Sequence, residues 1–249
     1  FGSKATKAKQ ARSRKKALEK MEQVAPFFLE KTMSFSFLKP EAMPRPMLKV
    51  EHATFAYQDP VLEGVSCVIY PGDRIGILGL NGAGKSTFIK GLCGTLAPQK
   101  GLVERYPGLK IAYFAQHQVD TLDLDSSPIA LMCHLNPGIS YKVALAHLAS
   151  FGFNKDLSER CIAVLSGGEK ARLALALMVF QRPNLLLLDE PSNHLDLNMR
   201  QALSYALLEF SGALVVISHD RHLLSTLVDT LYLVEDQKVQ IFPGSVMDY

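Results

Sequence analysis

From Met47 onward the chain breaks into short apolar blocks separated by Gly, Pro and polar turns, and the spacing inside each block predicts an element. Residues 48–57 and 65–70 read as strands flanking the turn-like Gln58-Asp59-Pro60, an antiparallel β subdomain. Residues 74–79 form a short apolar strand that enters a glycine-rich loop, and a helix starts near Lys85. Between about residues 127 and 164 strand signals fade, while Val143, Leu145, Leu148 and Phe151 recur at helical spacing. A small helical subdomain is therefore expected over about residues 120–180. Beyond it strands and helices alternate: helix Gly167–Phe180, strand Leu185–Asp189, helix 198–210, strand 213–218 and helix Arg221–Leu227. Thr230–Glu235 and Lys238–Phe242, hinged at Asp236-Gln237, read as a closing hairpin. Residues 185–188 and 213–217 are apolar throughout, as in parallel strands covered on both faces. The fold class is α/β: a mostly parallel core with antiparallel and helical subdomains.

The start of the chain differs. Residues 3–24 lack Gly and Pro and are rich in Ala, Lys, Arg, Gln and Glu, which predicts a helix over residues 1–25. Its apolar positions (Ala11, Ala17, Leu18, Met21, Val24) are small or sparse, so it cannot bury a wide face. Pro26, Pro40, Pro44 and Pro46 mark an extended linker over 26–46, before a folded body at 47–249. The net charge of +3 hides an asymmetry. Eight Lys/Arg against Glu19 and Glu22 give the first 24 residues +6, leaving the body at −3. Such an arm suits nucleic acid, an anionic membrane surface, or simply a solvated helix. The chain starts at Phe1 instead of a methionine, and we read it as a piece of a longer protein.

Composition narrows the class. A chain of 249 residues, 48% hydrophobic and 20% charged, suits one substantial domain with an appendage and excludes wholesale disorder. No apolar run reaches the roughly 18 residues of a membrane-spanning helix. Cys67, Cys93, Cys133 and Cys161 are far apart without CxxC spacing, which speaks against a zinc site or disulfide framework and for a reducing compartment. The expectation is a soluble, cytoplasmic protein.

Two motifs carry chemistry. Gly79-Leu80-Asn81-Gly82-Ala83-Gly84-Lys85-Ser86 fits G-x-x-x-x-G-K-[ST] between a strand and a helix, the context that motif requires. Glycines let successive backbone N–H groups turn toward phosphate oxygens, assisted by the helix dipole. The expected phosphate contacts are Gly79, Asn81, Gly82, Ala83, Gly84, Lys85, Ser86 and Thr87. Lys85 reaches the β/γ-phosphates, and the Ser86 hydroxyl ligates Mg²⁺. Leu185-Leu186-Leu187-Leu188-Asp189-Glu190 ends a buried strand in two carboxylates beside that loop. Asp189 would hold Mg²⁺ through water, since that ion keeps part of its hydration shell. Glu190 would orient or deprotonate an attacking water. Together the motifs read as a nucleoside triphosphatase.

Leu165-Ser166-Gly167-Gly168-Glu169 narrows this further. Ser166 and Glu169 alone fit a helix capping box, and the two glycines also expose backbone N–H groups at a helix start. Placed between Lys85 and Asp189, the stretch resembles the signature motif of the ATP-binding cassette (ABC) family. Further matches follow in family order. Gln116 in Ala112-Tyr113-Phe114-Ala115-Gln116 matches the Q-loop glutamine, implying contact with Mg²⁺ and water. Asn193-His194-Leu195-Asp196 matches the D-loop, His219 the switch histidine that senses the γ-phosphate, and Tyr57 the aromatic that stacks on adenine. The resemblance implies a P-loop NTPase fold of the ABC-cassette type, covering nearly everything from Met47 to Tyr249.

Within that family the chain is most similar to ABC-F proteins, which join two cassettes by a long helical linker. The residues responsible are Leu165-Ser166-Gly167-Gly168-Glu169-Lys170-Ala171-Arg172-Leu173-Ala174-Leu175-Ala176, Glu190-Pro191-Ser192-Asn193-His194-Leu195-Asp196 and Ser218-His219-Asp220-Arg221. The run Leu197-Asn198-Met199-Arg200-Gln201-Ala202-Leu203 resembles a YheS-like subgroup. Ser192 departs from the usual Thr, a conservative change. The resemblance implies a second cassette carrying the end of the inter-cassette linker, an ATPase with ATP and Mg²⁺ bound between paired cassettes. Lys85, Ser86, Gln116, Asp189, Glu190 and His219 would then serve one ATP. Ser166, Gly167 and Gly168 would serve another, held by the partner cassette. The family further implies ribosome association and translation, with the basic linker meeting rRNA and tRNA. The alternative is the ATP-binding subunit of a membrane transporter beside a separate permease. A DNA-repair or chromosome ATPase head is disfavoured, because neither a zinc module nor a very long coiled coil is visible.

Overall fold

Alternate residues of two all-apolar strands face different cores, and this divides the molecule. The computed structural model describes residues 34–115, 122–193 and 195–249. The helix read over residues 1–25 lies outside them, as do Gln116 and His194. Strands β3 (Arg74–Leu78), β5 (Ile111–Phe114), β6 (Leu185–Asp189), β7 (Ala213–Ile217), β8 (Thr230–Glu235) and β9 (Lys238–Phe242) form one sheet in the order β5-β6-β7-β3-β8-β9. All pairings are parallel except β8 with β9, the hairpin expected from Asp236-Gln237. Leu186, Leu188, Leu214 and Val216 point into one core, with α5 (Gly167–Phe180), α6 (Leu197–Glu209), α7 (Arg221–Leu227) and the helical subdomain. Leu185, Leu187, Ala213, Val215 and Ile217 point into the other, with α1 (Lys85–Cys93) and the second sheet. A side-chain period of two leaves each strand no polar face, hence the unbroken apolar runs.

The second sheet is antiparallel, in the order β2 (Pro60–Ile69), β1 (Leu48–Ala56), β4 (Lys100–Arg105). β2 is longer than its pattern predicts, because register shifts against β1 interrupt the alternation. Strand β4 is absent from the reading above. It is a sheet edge whose residues other than Val103 are exposed, so no hydrophobic pattern marks it. The helical subdomain consists of α2 (Pro128–Leu135), α3 (Tyr141–Ser150), α4 (Lys155–Glu159) and a 3₁₀ turn (Ile162–Val164), leading into α5. Ser127, Ser140, Asn154 and Ser166 cap the four helices with their side-chain oxygens. Where α3 meets α5, the half-buried His147 lies between Phe151 and Phe180, its Nε2 2.8 Å from the Ala176 carbonyl oxygen. Burial holds its pKa below the ordinary value, which favours the neutral ring.

Two polar residues tie these layers together. Arg74 begins the apolar β3 yet is only 2% exposed. Its guanidinium donates to the carbonyls of Leu207 (2.7 Å) and Phe210, so a buried cation satisfies the C-terminal end of α6. The other is Asn184, 1% exposed, before β6. Its Oδ1 accepts from the Lys110 amide at 2.8 Å, and its Nδ2 donates to the Ala42 and Gly108 carbonyls at 2.9 and 2.7 Å. Residues 34–46, the described part of the expected linker, thus lie packed along the body without helix or strand. The ring of Phe35 packs against that of Phe151 at 4.4 Å and Phe37 against Phe210 at 4.9 Å between centroids, while Glu41 pairs with Lys110 at 2.9 Å. Asn184→Ala strands two carbonyls and an amide at once. It should cost about 2–4 kcal/mol, read as a lower denaturant midpoint at unchanged slope. A shift below about 0.5 kcal/mol would show that the staple is dispensable.

Candidate functional site

The glycine-rich loop sits where β3 hands over to α1, at the C-terminal edge of the parallel sheet. Gly79 adopts φ +146°, and a Cβ there would lie 2.5 Å from the Val234 carbonyl oxygen, so only glycine fits. Gly84, at φ +106°, caps α1 without any side-chain bond. The first amides of that helix therefore have no side-chain acceptor at the cap, as in an anion-binding helix start. Lys85 folds back over the loop, donating to the carbonyls of Gly79 and Leu80 at 2.8 and 2.9 Å. Burial lowers the Lys85 pKa, and the facing carboxylates of Asp189 and Glu190 pull it back up.

A cleft of about 430 Å³ opens beside the loop, and among its lining residues are Asn81, Gly82, Lys85, Ser86, Asp189, Glu190 and His219. Asp189 ends β6 in register with Ile217 of β7. Glu190 then leaves the strand at φ +52°, strained for a residue with a Cβ, and its amide donates to the Ile217 carbonyl at 3.0 Å. That kink holds the Glu190 side chain at 14% exposure beside His219, with Oε1 3.5 Å from Nε2. At 3.5 Å this contact is longer than an ordinary hydrogen bond, and Oε1 is sealed from solvent without a hydrogen-bond donor among the described residues. The other oxygen accepts a long 3.4 Å bond from the His219 amide. Burial raises the Glu190 pKa, and His219 only partly opposes it. A desolvated carboxylate with one unmatched oxygen is suited to hold and deprotonate a water.

The other expected residues are spread more widely. Ala83 lies in the loop between Gly82 and Gly84, and Thr87 is buried in the first turn of α1. Tyr57 follows β1 and is 60% exposed, its ring 5.8 Å from the Lys90 ammonium, which donates to its hydroxyl at 3.4 Å. Ser166 caps α5, Gly167 and Gly168 start it, and none of the three lines the cleft. Tyr113 and Ala115, from the stretch before Gln116, and Asn193, from the D-loop match, also line the cleft, as does Lys90, which no motif marks. Lys90 could have been found, because it lies one helical turn after Ser86 on the same face of α1.

The residues present fit a magnesium nucleotide. Ser86, next to Lys85 at the loop, and Asp189, at the end of β6, both line the cleft and supply hard oxygen donors beside a cationic loop. The described residues contain no group of three or more His, Cys, Asp or Glu able to hold a metal by themselves. An ion here would complete its shell with phosphate and water. No helix among the described residues is long and apolar enough to cross a membrane.

Comparison with known proteins identifies the family. A family model described as ABC transporter matches residues 62–193, more than half of the chain, and a second with the same description matches residues 1–37. The chain is 54% identical to the probable ATP-binding protein YheS of Escherichia coli (strain K12) over 250 residues, covering 100% of the chain and 39% of that protein. It is 39% identical to ABC transporter F family member 3 of Arabidopsis thaliana, covering 98% of the chain and 35% of that protein. The chain thus spans about two fifths of the curated relatives it matches. A solved ATP-binding cassette, a dimer in a post-hydrolysis state with ADP and Pi, superposes with a TM-score of 0.65 at 23% identity, over 78% of this chain and 97% of that one. This likeness places the fold among the P-loop ABC cassettes. With sheet order, phosphate loop, signature helix and relatives all in agreement, the chain belongs to the ABC family of ATP-binding cassettes, on its F branch.

Proposed function

We propose that this cassette binds Mg-ATP in the cleft and hydrolyses it when a second cassette closes over the nucleotide. The observation that carries the reading is the convergence of Lys85, Ser86, Asp189, Glu190 and His219 on one cleft, with the Glu190 Oε1 unmatched. Loop amides and Lys85 grip the β- and γ-phosphates, and Ser86, Asp189 and Gln116 are the residues for the ion. Magnesium, when bound, neutralises the charge on those phosphates. Glu190 takes the proton of a water as its oxygen bonds to the γ-phosphorus, and the bond to ADP breaks. His219 senses the γ-phosphate, and Tyr57 stacks on adenine. Ser166, Gly167 and Gly168 point their helix start at the ATP of the partner cassette. The whole protein is then a cytoplasmic ATPase of the translation apparatus. Its basic residues 4–20 attract rRNA and tRNA by sequence-independent charge.

If pairing completes the site, hydrolysis per mole of isolated chain should rise with chain concentration. A fast rate independent of concentration would contradict the shared site. For the whole protein, ATP-dependent cosedimentation with ribosomes should weaken steeply with salt. Stable capture by a membrane permease would instead favour the transporter reading.

A further inference from the structure

One cation of the cleft has no task in the phosphate chemistry. Lys90 lies on α1 one turn beyond Ser86 and lines the same cleft, yet it belongs to no motif. Its main chain is fixed in place. The Lys90 carbonyl accepts from the Gly94 and Leu96 amides at 2.9 and 3.2 Å and from the Thr95 hydroxyl at 3.3 Å, which closes the end of α1. No carboxylate among the described residues pairs with its ammonium, which instead donates to the Tyr57 hydroxyl.

The packing of β1 on α1 explains why these two side chains meet. A Cβ at Gly91 would lie 2.4 Å from the ring of Phe55, so the end of β1 rests directly on a stretch of helix bare of side chain. Tyr57, two residues after Phe55, thereby comes within reach of Lys90, one residue before Gly91. The ammonium is 3.4 Å from the Tyr57 hydroxyl oxygen and 5.8 Å from the ring centre. A cation seated on the ring face would lie nearer the centre than the oxygen, so this one sits at the rim, and the ring remains 60% exposed for a flat ligand.

A long bond at an exposed ring contributes little to the fold. Its effect falls on the freedom of the ring. An exposed tyrosine that stacks on a ligand gives up rotation about two side-chain bonds. A ring already held at its hydroxyl has given up part of that rotation beforehand, so stacking costs less on binding.

We propose that Lys90 is a positioning residue that holds the Tyr57 ring ready for the nucleotide base and so sets affinity at the base end of the cleft. The inference rests on the reading above in which Tyr57 stacks on adenine. Lys90 acts through the ring, while the phosphates belong to Lys85 and the loop amides.

The test is calorimetric titration of the chain with Mg-ATP and, as a probe without a base, with magnesium tripolyphosphate. Wild type is compared with Lys90→Met, Lys90→Arg, Tyr57→Phe and the double variant Lys90→Met with Tyr57→Phe. Lys90→Met and Tyr57→Phe each break the contact and should each weaken ATP binding about five-fold. The double variant should be no worse than either, because both changes remove one contact. Arginine at position 90 keeps charge and reach and should recover affinity to within about two-fold of wild type. Tripolyphosphate should bind every variant within about two-fold of wild type. Tyr57→Phe alters an exposed hydroxyl only, so a folded comparison survives even if the methionine variant does not fold. Single variants within about two-fold of wild type for ATP, losses that multiply, or no recovery with arginine overturn the role of Lys90. An equal loss for tripolyphosphate overturns it too, by making Lys90 a phosphate-binding residue. If the wild-type chain binds no Mg-ATP, the nucleotide reading falls, and this inference with it; a wild type that binds beside unaffected variants removes the inference alone.

Discussion

Lys85→Met should abolish Mg-ATP binding, with affinity down by at least about 100-fold, while the chain stays folded. The side chain donates only to carbonyls of its own loop, Gly79 and Leu80, and contributes no packing that methionine cannot replace. What methionine lacks is the charge. Phosphate oxygens gathered by helix amides in a half-buried cleft need a cation opposite them, and low local dielectric enlarges that attraction. Equilibrium titration with ATP checks this, with the melting temperature as control. Affinity within about three-fold of wild type would remove Lys85 from the phosphate site.

Glu190→Gln separates binding from chemistry. Glutamine keeps the shape and an acceptor oxygen and cannot take a proton. Hydrolysis should fall by about 10²–10⁴-fold with ATP affinity nearly unchanged, and the paired state should persist in ATP. The pH dependence follows from burial. A desolvated carboxyl holds its proton to higher pH than an ordinary one, and only the ionised form acts as a base. Activity is therefore present above the raised pKa and lost as pH falls through it, with the acid limb above the ordinary value of 4.5. Undiminished hydrolysis in the glutamine variant would end the base role.

How far the sequence foretells this depends on the kind of signal each residue carries. Leu185–Asp189 and Ala213–Ile217 were legible because burial on both faces forces an unbroken apolar run. The phosphate loop was legible because its glycines answer to backbone geometry, as at Gly79 against Val234. Strand β4 was not, since an exposed edge needs no apolar pattern and is held by main-chain bonds to β1. Arg74 and Asn184 escaped for a related reason. Their partners are backbone carbonyls and amides far away in sequence, and a local pattern carries no trace of such bonds. The contact between Lys90 and Tyr57 likewise joins two elements that a linear reading treats separately.

Magnesium-linked nucleotide affinity tests the ATP site most directly. Calorimetric titration of the chain with ATP should show binding in magnesium that weakens at least about ten-fold when the ion is chelated, because Ser86 and Asp189 act on the nucleotide only through it. Equal affinity with and without magnesium, or no binding in either buffer, would contradict it.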